Sequence, residues 1–353
     1  MLQSRRFHRI AARVPFVRGR AHREARRLFD LCAGFVYAQV VLACVRLDLF
    51  SLLRDGPRTL SDIASATGLP EGEAKRLLDA AASLDLLTRR GTDLYRLGPL
   101  GAAFLGTPGL AEIVEHHALL YRDLTDPVAL LRSGGPGPEL GAYWTYAGLD
   151  GERMAPEDAE RYSALMAASQ PFLVDDVLAA YPIQRHRKLL DVGGGEGGFV
   201  LAAAERAPDL ALSLFDLPEV AARAEAAFSR AGLSAVAHGG DFRTSALPVG
   251  ADLATMIRVA FDHPDEMVLT ILRRVRAALP EDGVLLLAEP MAETRGAEPV
   301  GAAYFGFYLL AMGGGRSRSA AELTALLQEA GFRSVTLART RRPLLVSVLV
   351  AKP

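Results

Sequence analysis

Leu189-Leu190-Asp191-Val192-Gly193-Gly194-Gly195-Glu196-Gly197-Gly198-Phe199 is the stretch whose reading decides the fold. Two leucines lead into an acid, five glycines follow within six positions, and an apolar pattern resumes from Phe199 to Ala204. The order reads as strand, tight loop and helix. Glycine lets a backbone take positive φ and approach a ligand closely. The helix start beyond it presents N–H groups without intrahelical partners. A turn of this kind suits a nucleotide-like ligand.

The glycine spacing is compatible with two such ligands. Gly193, Gly195 and Gly198 satisfy G-x-G-x-x-G, the dinucleotide fingerprint. Asp191, Gly193, Gly195 and Gly197 also satisfy D-x-G-x-G-x-G, which resembles motif I of class I S-adenosylmethionine (AdoMet) methyltransferases. The acid discriminates between them. Beside a pyrophosphate a carboxylate is repelled; beside the ammonium of a methionine moiety it is attracted. Ala211 to Phe215 reads as a second strand ending in Asp216, an acid placed to accept from both ribose hydroxyls. Ala235 to Phe242 reads as a third, ending in Gly239-Gly240-Asp241-Phe242, whose acid and ring suit an adenine amino group and its face. An NAD-dependent dehydrogenase is the competing reading, and Asp191 argues against it.

Length and composition set the bounds. The 353 residues allow two domains, each with its own core. Half are hydrophobic, but no run is expected to reach the length of a membrane span. A formal charge of −1 gives no bulk attraction to nucleic acid. Cys32 and Cys44 form neither a disulfide framework nor a metal spacing, and the start lacks a secretory signal, so a cytoplasmic location is expected.

Residues 1–27 are basic, with arginines at 5, 6, 9, 13, 18, 20, 23, 26 and 27. They read as an arm or a dimer-wrapping helix, with peripheral contact to an anionic membrane as the sharper alternative. From Leu28 to Leu53 apolar residues recur around a helix, which must be buried in a core or against a partner. Thr59 and Pro70 open two more helices, and Leu86 to Leu97 reads as a β-hairpin wing. Helix, helix, helix and wing describe a winged helix. Glu71, Glu73 and Asp79 on its second short helix offset Lys75 and Arg76, which argues for dimerisation over DNA binding or a regulatory role. Residues 110–180 read as further helices. His116-His117 has no third ligand at metal spacing, so no metal site is expected.

The remainder alternates helix and strand: a helix from Pro218 to Arg230, a strand from Ala251 to Ala260, a loop from Phe261 to Glu266, a helix to Leu279 and a strand from Gly283 to Glu289. An aromatic helix from Tyr304 to Met312, a helix capped by Ser319 and Glu322, and a closing hairpin complete the chain. The pattern predicts an α/β doubly wound sheet with an antiparallel edge. The expected divisions are a basic arm at 1–27, a winged-helix dimerisation domain at 28–110, linker helices at 111–180 and the nucleotide-binding domain at 181–353.

The whole chain resembles the small-molecule O-methyltransferases of plants and bacteria. The resemblance rests on Asp191 to Gly198, Asp216, Gly239 to Phe242, Asp262-x-x-Asp265-Glu266 and Glu289-Pro290. It implies a Rossmann-like class I methyltransferase sheet, a mostly α-helical winged-helix dimerisation domain, a homodimer and AdoMet as cofactor. The expected AdoMet contacts are Asp191, Gly193, Gly195, Asp216, Gly240, Asp241, Phe242 and Arg258. One branch is more similar still. Met166-Ala167-Ala168-Ser169-Gln170, Phe261-Asp262-His263 and Tyr304 to Gly313 resemble the carotenoid O-methyltransferases of purple phototrophic bacteria, of hydroxyneurosporene or demethylspheroidene type. That implies a lipophilic acceptor with a tertiary hydroxyl, a place in photosynthetic pigment synthesis near the inner membrane, and acceptor contacts from Met166, Phe261, Phe305, Phe307, Tyr308 and Met312. A bacteriochlorophyllide or polyketide is the alternative acceptor.

The sequence departs from the family at the base. Phenol-methylating members carry a histidine just before the loop aspartate; here that position is Phe261, and a second carboxylate that orients the histidine falls on Ser317. Glu289 and His263 are left as the candidate catalytic residues. A tertiary alcohol fits this loss, because its proton need leave only late in methyl transfer, when alignment carries most of the rate.

Overall fold

The computed structural model describes residues 15–143 and 173–353. Met166 and the start of the basic arm lie outside them. The chain divides into two compact units, one ending at Glu115 and one running from His116 to Pro353.

The first unit opens with α1 (Pro15–Arg46), which therefore begins within the stretch read as an arm. Asp48, left-handed at φ 49°, breaks it before the one-turn helix Leu49–Leu52, so the expected single helix to Leu53 is two. Strand β1 (Arg58–Thr59) leads into α2 (Leu60–Thr67), where Thr59 and Asp62 exchange capping hydrogen bonds. Helix α3 (Glu71–Ser83) follows, then β2 (Leu87–Arg90) and β3 (Leu94–Leu97), which pair antiparallel with β1 on the outer edge of β3. Cys44, Phe50, Ile63, Leu78, Leu87 and Tyr95 form the core of this unit. The buried Tyr95 hydroxyl donates to Asp79 at 2.8 Å, so no polar group is stranded there.

One expectation about α1 changes. Between His22 and Arg46 it is long and apolar enough to cross a membrane, contrary to the reading that no run is. Its C-terminal part packs into the core through Leu42 and Cys44, whereas Leu28, Phe29, Phe35 and Val36 are exposed and Leu31 is 80% exposed, which leaves the partner as the expected cover for that part. A contiguous stripe of this kind is a surface for association.

Helix α4 (Leu110–Asp123) crosses the division between the units. The second unit is built on seven strands: β4 (Lys188–Val192), β5 (Ala211–Asp216), β6 (Ala235–Gly239), β7 (Leu253–Ile257), β8 (Val284–Glu289), β9 (Ser334–Ala338) and β10 (Ser347–Lys352). Their order is β6-β5-β4-β7-β8-β10-β9. β10 runs opposite to the other six strands and lies between β8 and the edge strand β9, pairing antiparallel with both, so the expected antiparallel edge is present. Helices α5 (Gly198–Arg206), α6 (Pro218–Arg230), α7 (Asp265–Ala278), α8 (Gly306–Met312) and α9 (Ala320–Glu329) belong to the same unit, as does the short helix Pro127–Ser133. Along β8, Leu285 and Leu287 enter one core cluster while Leu286 and Ala288 enter the other. Burial on both faces is why these strands read as unbroken apolar runs.

Candidate active site

The parallel strands all end at one edge of the sheet, where ligands of doubly wound folds bind. β4 turns there into the glycine loop. Gly193 has φ 71° and donates its N–H to Phe215 at 2.8 Å; a Cβ on it would lie 2.7 Å from Val259. Gly195, also at positive φ, has nothing within 4 Å of the place a Cβ would take, so the loop is open on that side. Such an opening could take a ligand held by backbone groups.

Asp216 ends β5 beside this gap. Its Oδ2 accepts from Gly195 N–H at 2.8 Å and its Oδ1 from Leu217 N–H at 2.7 Å. Burial raises its carboxyl above the usual range, against the pull of those two N–H groups. Each oxygen keeps lone pairs for a further donor, which fits a ribose diol. Gly240 donates to the Asp216 carbonyl at 2.9 Å, and a Cβ there would press on the Phe215 ring. Asp241 is held below the usual carboxylate range by Arg243, whose Nε lies 2.9 Å from both its oxygens. Phe242 meets the His263 ring edge to face at 5.5 Å.

Asp191 is placed beneath the loop, only 2% exposed. Its Oδ1 accepts from the Thr255 hydroxyl at 2.6 Å, and burial pushes its carboxyl up to about 7. Arg258, just past β7, is left-handed at φ 55°, a conformation that costs a non-glycine residue about 1–2 kcal/mol. Its guanidinium lies 5.6 Å from the centre of the Phe261 ring.

Glu289 is 2% exposed at the end of β8. Its Oε1 accepts from Val259 N–H at 3.1 Å and from Ala260 N–H at 2.7 Å, while Oε2 is buried without a partner among the described residues. Burial, and then the charge of Asp262, push its carboxyl up to about 8. Burial likewise takes Asp262 to about 7, with Arg258 opposing. His263 is lowered by burial and by Arg243 and Arg318, against Asp241.

The aromatic segment begins with a π-helical turn, Val300–Phe305, that period counting did not anticipate, and continues as α8. Phe305 meets Phe261 edge to face at 5.9 Å. Phe261, Phe305, Tyr308 and Met312 share one apolar cluster; Phe307, half-buried, is not part of it. Three features escaped sequence reading. Thr255 under Asp191 is one. The second is Arg318, 2% exposed, which donates to the carbonyls of Ala260 and His263 at 2.7 Å each and so fixes the loop. The third is a pair of contacts across the cluster: His116 Nε2 to Tyr308 Oη and His117 Nε2 to Tyr304 Oη, both 2.8 Å.

The sheet order, the glycine cradle and the acid at the end of β5 define a class I AdoMet-dependent methyltransferase. Comparison with known proteins agrees. An O-methyltransferase domain matches residues 121–333, and an O-methyltransferase dimerisation domain matches residues 10–107. The chain belongs to the O-methyltransferase family, and AdoMet is its methyl donor. The demethylspheroidene O-methyltransferases of Cereibacter sphaeroides and Rhodobacter capsulatus are 44% and 43% identical to it, each over 99% of this chain and over 92% and 87% of their own lengths. Mitomycin 7-O-methyltransferase MmcR superposes with a TM-score of 0.76 at 27% identity, covering 95% of this chain and 98% of that one. Human N-acetylserotonin methyltransferase in complex with SAM gives a TM-score of 0.76 over 93% of this chain and 97% of its own, at 23% identity, which bears on the fold alone. The dimerisation domain, with the apolar stripe of α1, supports a homodimer.

Proposed function

We propose that this protein methylates the tertiary hydroxyl of a hydroxylated acyclic carotenoid, of hydroxyneurosporene or demethylspheroidene type, with AdoMet as donor. The observation that carries the reading is the end-to-end similarity to two demethylspheroidene O-methyltransferases. The local chemistry agrees: the place of a phenol-activating base is taken by the buried ring of Phe261, continuous with an apolar cluster. A long hydrocarbon would be held there by area removed from water, at roughly 25 cal/mol per Å².

In this reading Asp216 accepts from the ribose hydroxyls, and Asp241 and Phe242 serve the adenine. The backbone of Gly193, Gly195 and Gly240 lines the cradle. Asp191 supports the loop from beneath, and Arg258 borders the reacting centre with Glu289 and His263. Phe261, Phe305, Phe307, Tyr308, Met312 and Met166 take the polyene. Residues 181–353 form the AdoMet domain, 111–180 the link to it and 28–110 the dimerisation domain. The arginine-rich arm would bring a cytoplasmic enzyme to the anionic surface of the membrane where its acceptor dissolves.

Incubation of the protein with labelled AdoMet and candidate acceptors in detergent micelles tests the proposal. Transfer of label to the carotenoid alcohol, and accumulation of that alcohol when the gene is deleted, are expected. Preferred transfer to a bacteriochlorophyllide or a phenolic polyketide would overturn it.

A further inference from the structure

The hairpin that closes the chain turns at the end of the sheet that carries the candidate active site. Ser347, the first residue of β10, pairs with Glu289, the last of β8, and Val348 pairs with Ala338, the last of β9. Because β10 runs opposite to β8, residues 339–346 lie beyond the same strand ends as the glycine loop, Asp216 and Glu289.

This connection is held in shape. The Arg342 carbonyl accepts from Leu345 N–H at 2.8 Å and from Val346 N–H at 3.3 Å, which closes a tight turn over Pro343-Leu344-Leu345. Thr340 Oγ1 donates to the Val346 carbonyl at 2.8 Å. Asp176, itself buried, ties the turn down by accepting from Arg342 N–H at 3.2 Å and from its Nε at 3.0 Å. The outside of the tethered turn is nonetheless apolar. Leu344 and Leu345 are exposed, and so is Leu337 next to the end of β9. Turns that face water favour Gly, Asn, Asp and Ser, not a pair of leucines. Arg339 and Arg341 are exposed beside them, and from Arg333 to Val346 the chain has four arginines and no acid. Leucines flanked by uniformly positive charge match the headgroup boundary of an anionic bilayer, where apolar side chains enter the acyl region and guanidinium groups stay with the phosphates.

We propose that the β9–β10 hairpin is an interfacial anchor that seats this end of the sheet on an anionic lipid surface, with Leu344 and Leu345 entering the acyl boundary and Arg339 and Arg341 on the lipid phosphates. It is a second membrane contact, on the AdoMet-binding unit and separate from the arginine-rich arm. Its use is to bring the methyl donor to the phase in which a long hydrocarbon acceptor dissolves. That use rests on the reading of the acceptor as a carotenoid; the lipid contact does not.

The test uses the full-length protein, with its arm intact, and vesicles of phosphatidylcholine with or without phosphatidylglycerol. Wild-type protein is expected to partition onto the anionic vesicles and far less onto the neutral ones; equal partition onto both would overturn the proposal. Arg339→Gln with Arg341→Gln should weaken anionic partition by about five-fold for each arginine, or roughly 25-fold together. Leu344→Ser with Leu345→Ser should weaken it roughly ten-fold. Partition within two-fold of wild type for either double variant, with calorimetric AdoMet affinity unchanged, would overturn the anchor. Light scattering without lipid should find both variants in the wild-type oligomeric state; dissociation would make the hairpin an interface between copies and overturn the lipid assignment. On a hydroxylated carotenoid held in anionic vesicles, kcat/KM should fall with partition, whereas in detergent micelles it should stay within two-fold of wild type. Absence of wild-type turnover in both media, with partition as expected, would count against the proposed acceptor and support the anchor by itself.

Discussion

The AdoMet edge and the aromatic cluster lie in one unit of the chain but are built by opposite means. At the AdoMet edge, polar anchoring runs between the ends of neighbouring strands: Gly193 to Phe215, Gly195 to Asp216, Gly240 to Asp216. The Gly193 and Gly240 bonds join backbone to backbone and follow from strand order, while the Gly195 bond ends on the Asp216 carboxylate. Across the cluster, the two histidine–tyrosine pairs are made by side chains and join residues 187 and 192 positions apart. The comparison teaches that the donor site is set by backbone topology, which a family shares, while the acceptor site is set by individual side chains, which can change with the substrate.

The largest effect that tests this division is expected at Asp216. Asp216→Ala removes a charged acceptor from the ribose and from Gly195 N–H. Calorimetry should show AdoMet affinity reduced by about 1.5–3 kcal/mol, or roughly 10- to 150-fold. An affinity within two-fold of wild type would break the comparison, since the donor site would not depend on this strand end. Next in size is the stripe on α1. Leu31→Asp with Phe35→Asp places two charges where the partner is expected, removing about 1.5–3 kcal/mol of apolar burial at each position. Light scattering at micromolar concentration should then report monomers, and an undisturbed dimer would mean that another surface carries the association.

The same division explains what could be read from the chain. The glycine loop, Asp216 and the capping pair of Ser319 and Glu322 are local patterns, and the structure places them as the spacing predicts. The sheet followed because βα alternation and a closing hairpin leave few topologies. Local spacing could not show Arg318 reaching the carbonyls of Ala260 and His263, because its place at the loop depends on tertiary packing. The histidines failed to read for the same reason: adjacent on α4, they find partners one helical turn apart on a distant segment. The break at Asp48 carries no glycine or proline to announce it, and an uncovered apolar helix has the same composition as a buried one.

A smaller effect, on stability rather than binding, separates the buried acids of the loop from their surroundings. Glu289 titrates near 4.5 when unfolded and at about 8 in the folded chain, chiefly because it is buried. The folded state therefore binds more protons than the unfolded state between those values. Stability from this group is greatest below about 4.5 and is lost as pH rises to about 8. Glu289→Gln can keep an oxygen toward the N–H groups of Val259 and Ala260 without the charge. Melting temperatures measured from pH 5 to 8.5 should fall less steeply for this variant, and equal slopes would show that Glu289 ionises freely.

His263 should give the smallest effect, and it separates the two walls most finely. Its ring lies against Phe242, with Asp241 and Arg243 as charged neighbours, so it stands with the donor edge even though it follows Phe261 in the loop. Truncation at His263 then removes a ring contact from the adenine side. An edge-to-face ring contact contributes about 0.5–1.5 kcal/mol, so His263→Ala should raise the KM for AdoMet by roughly two- to ten-fold and leave kcat within a few-fold. Separate measurement of kcat and both KM values decides the matter. A thousand-fold loss of kcat with AdoMet affinity intact would make His263 the base, moved two residues along the loop, and would place the reacting oxygen against the donor edge rather than the aromatic cluster.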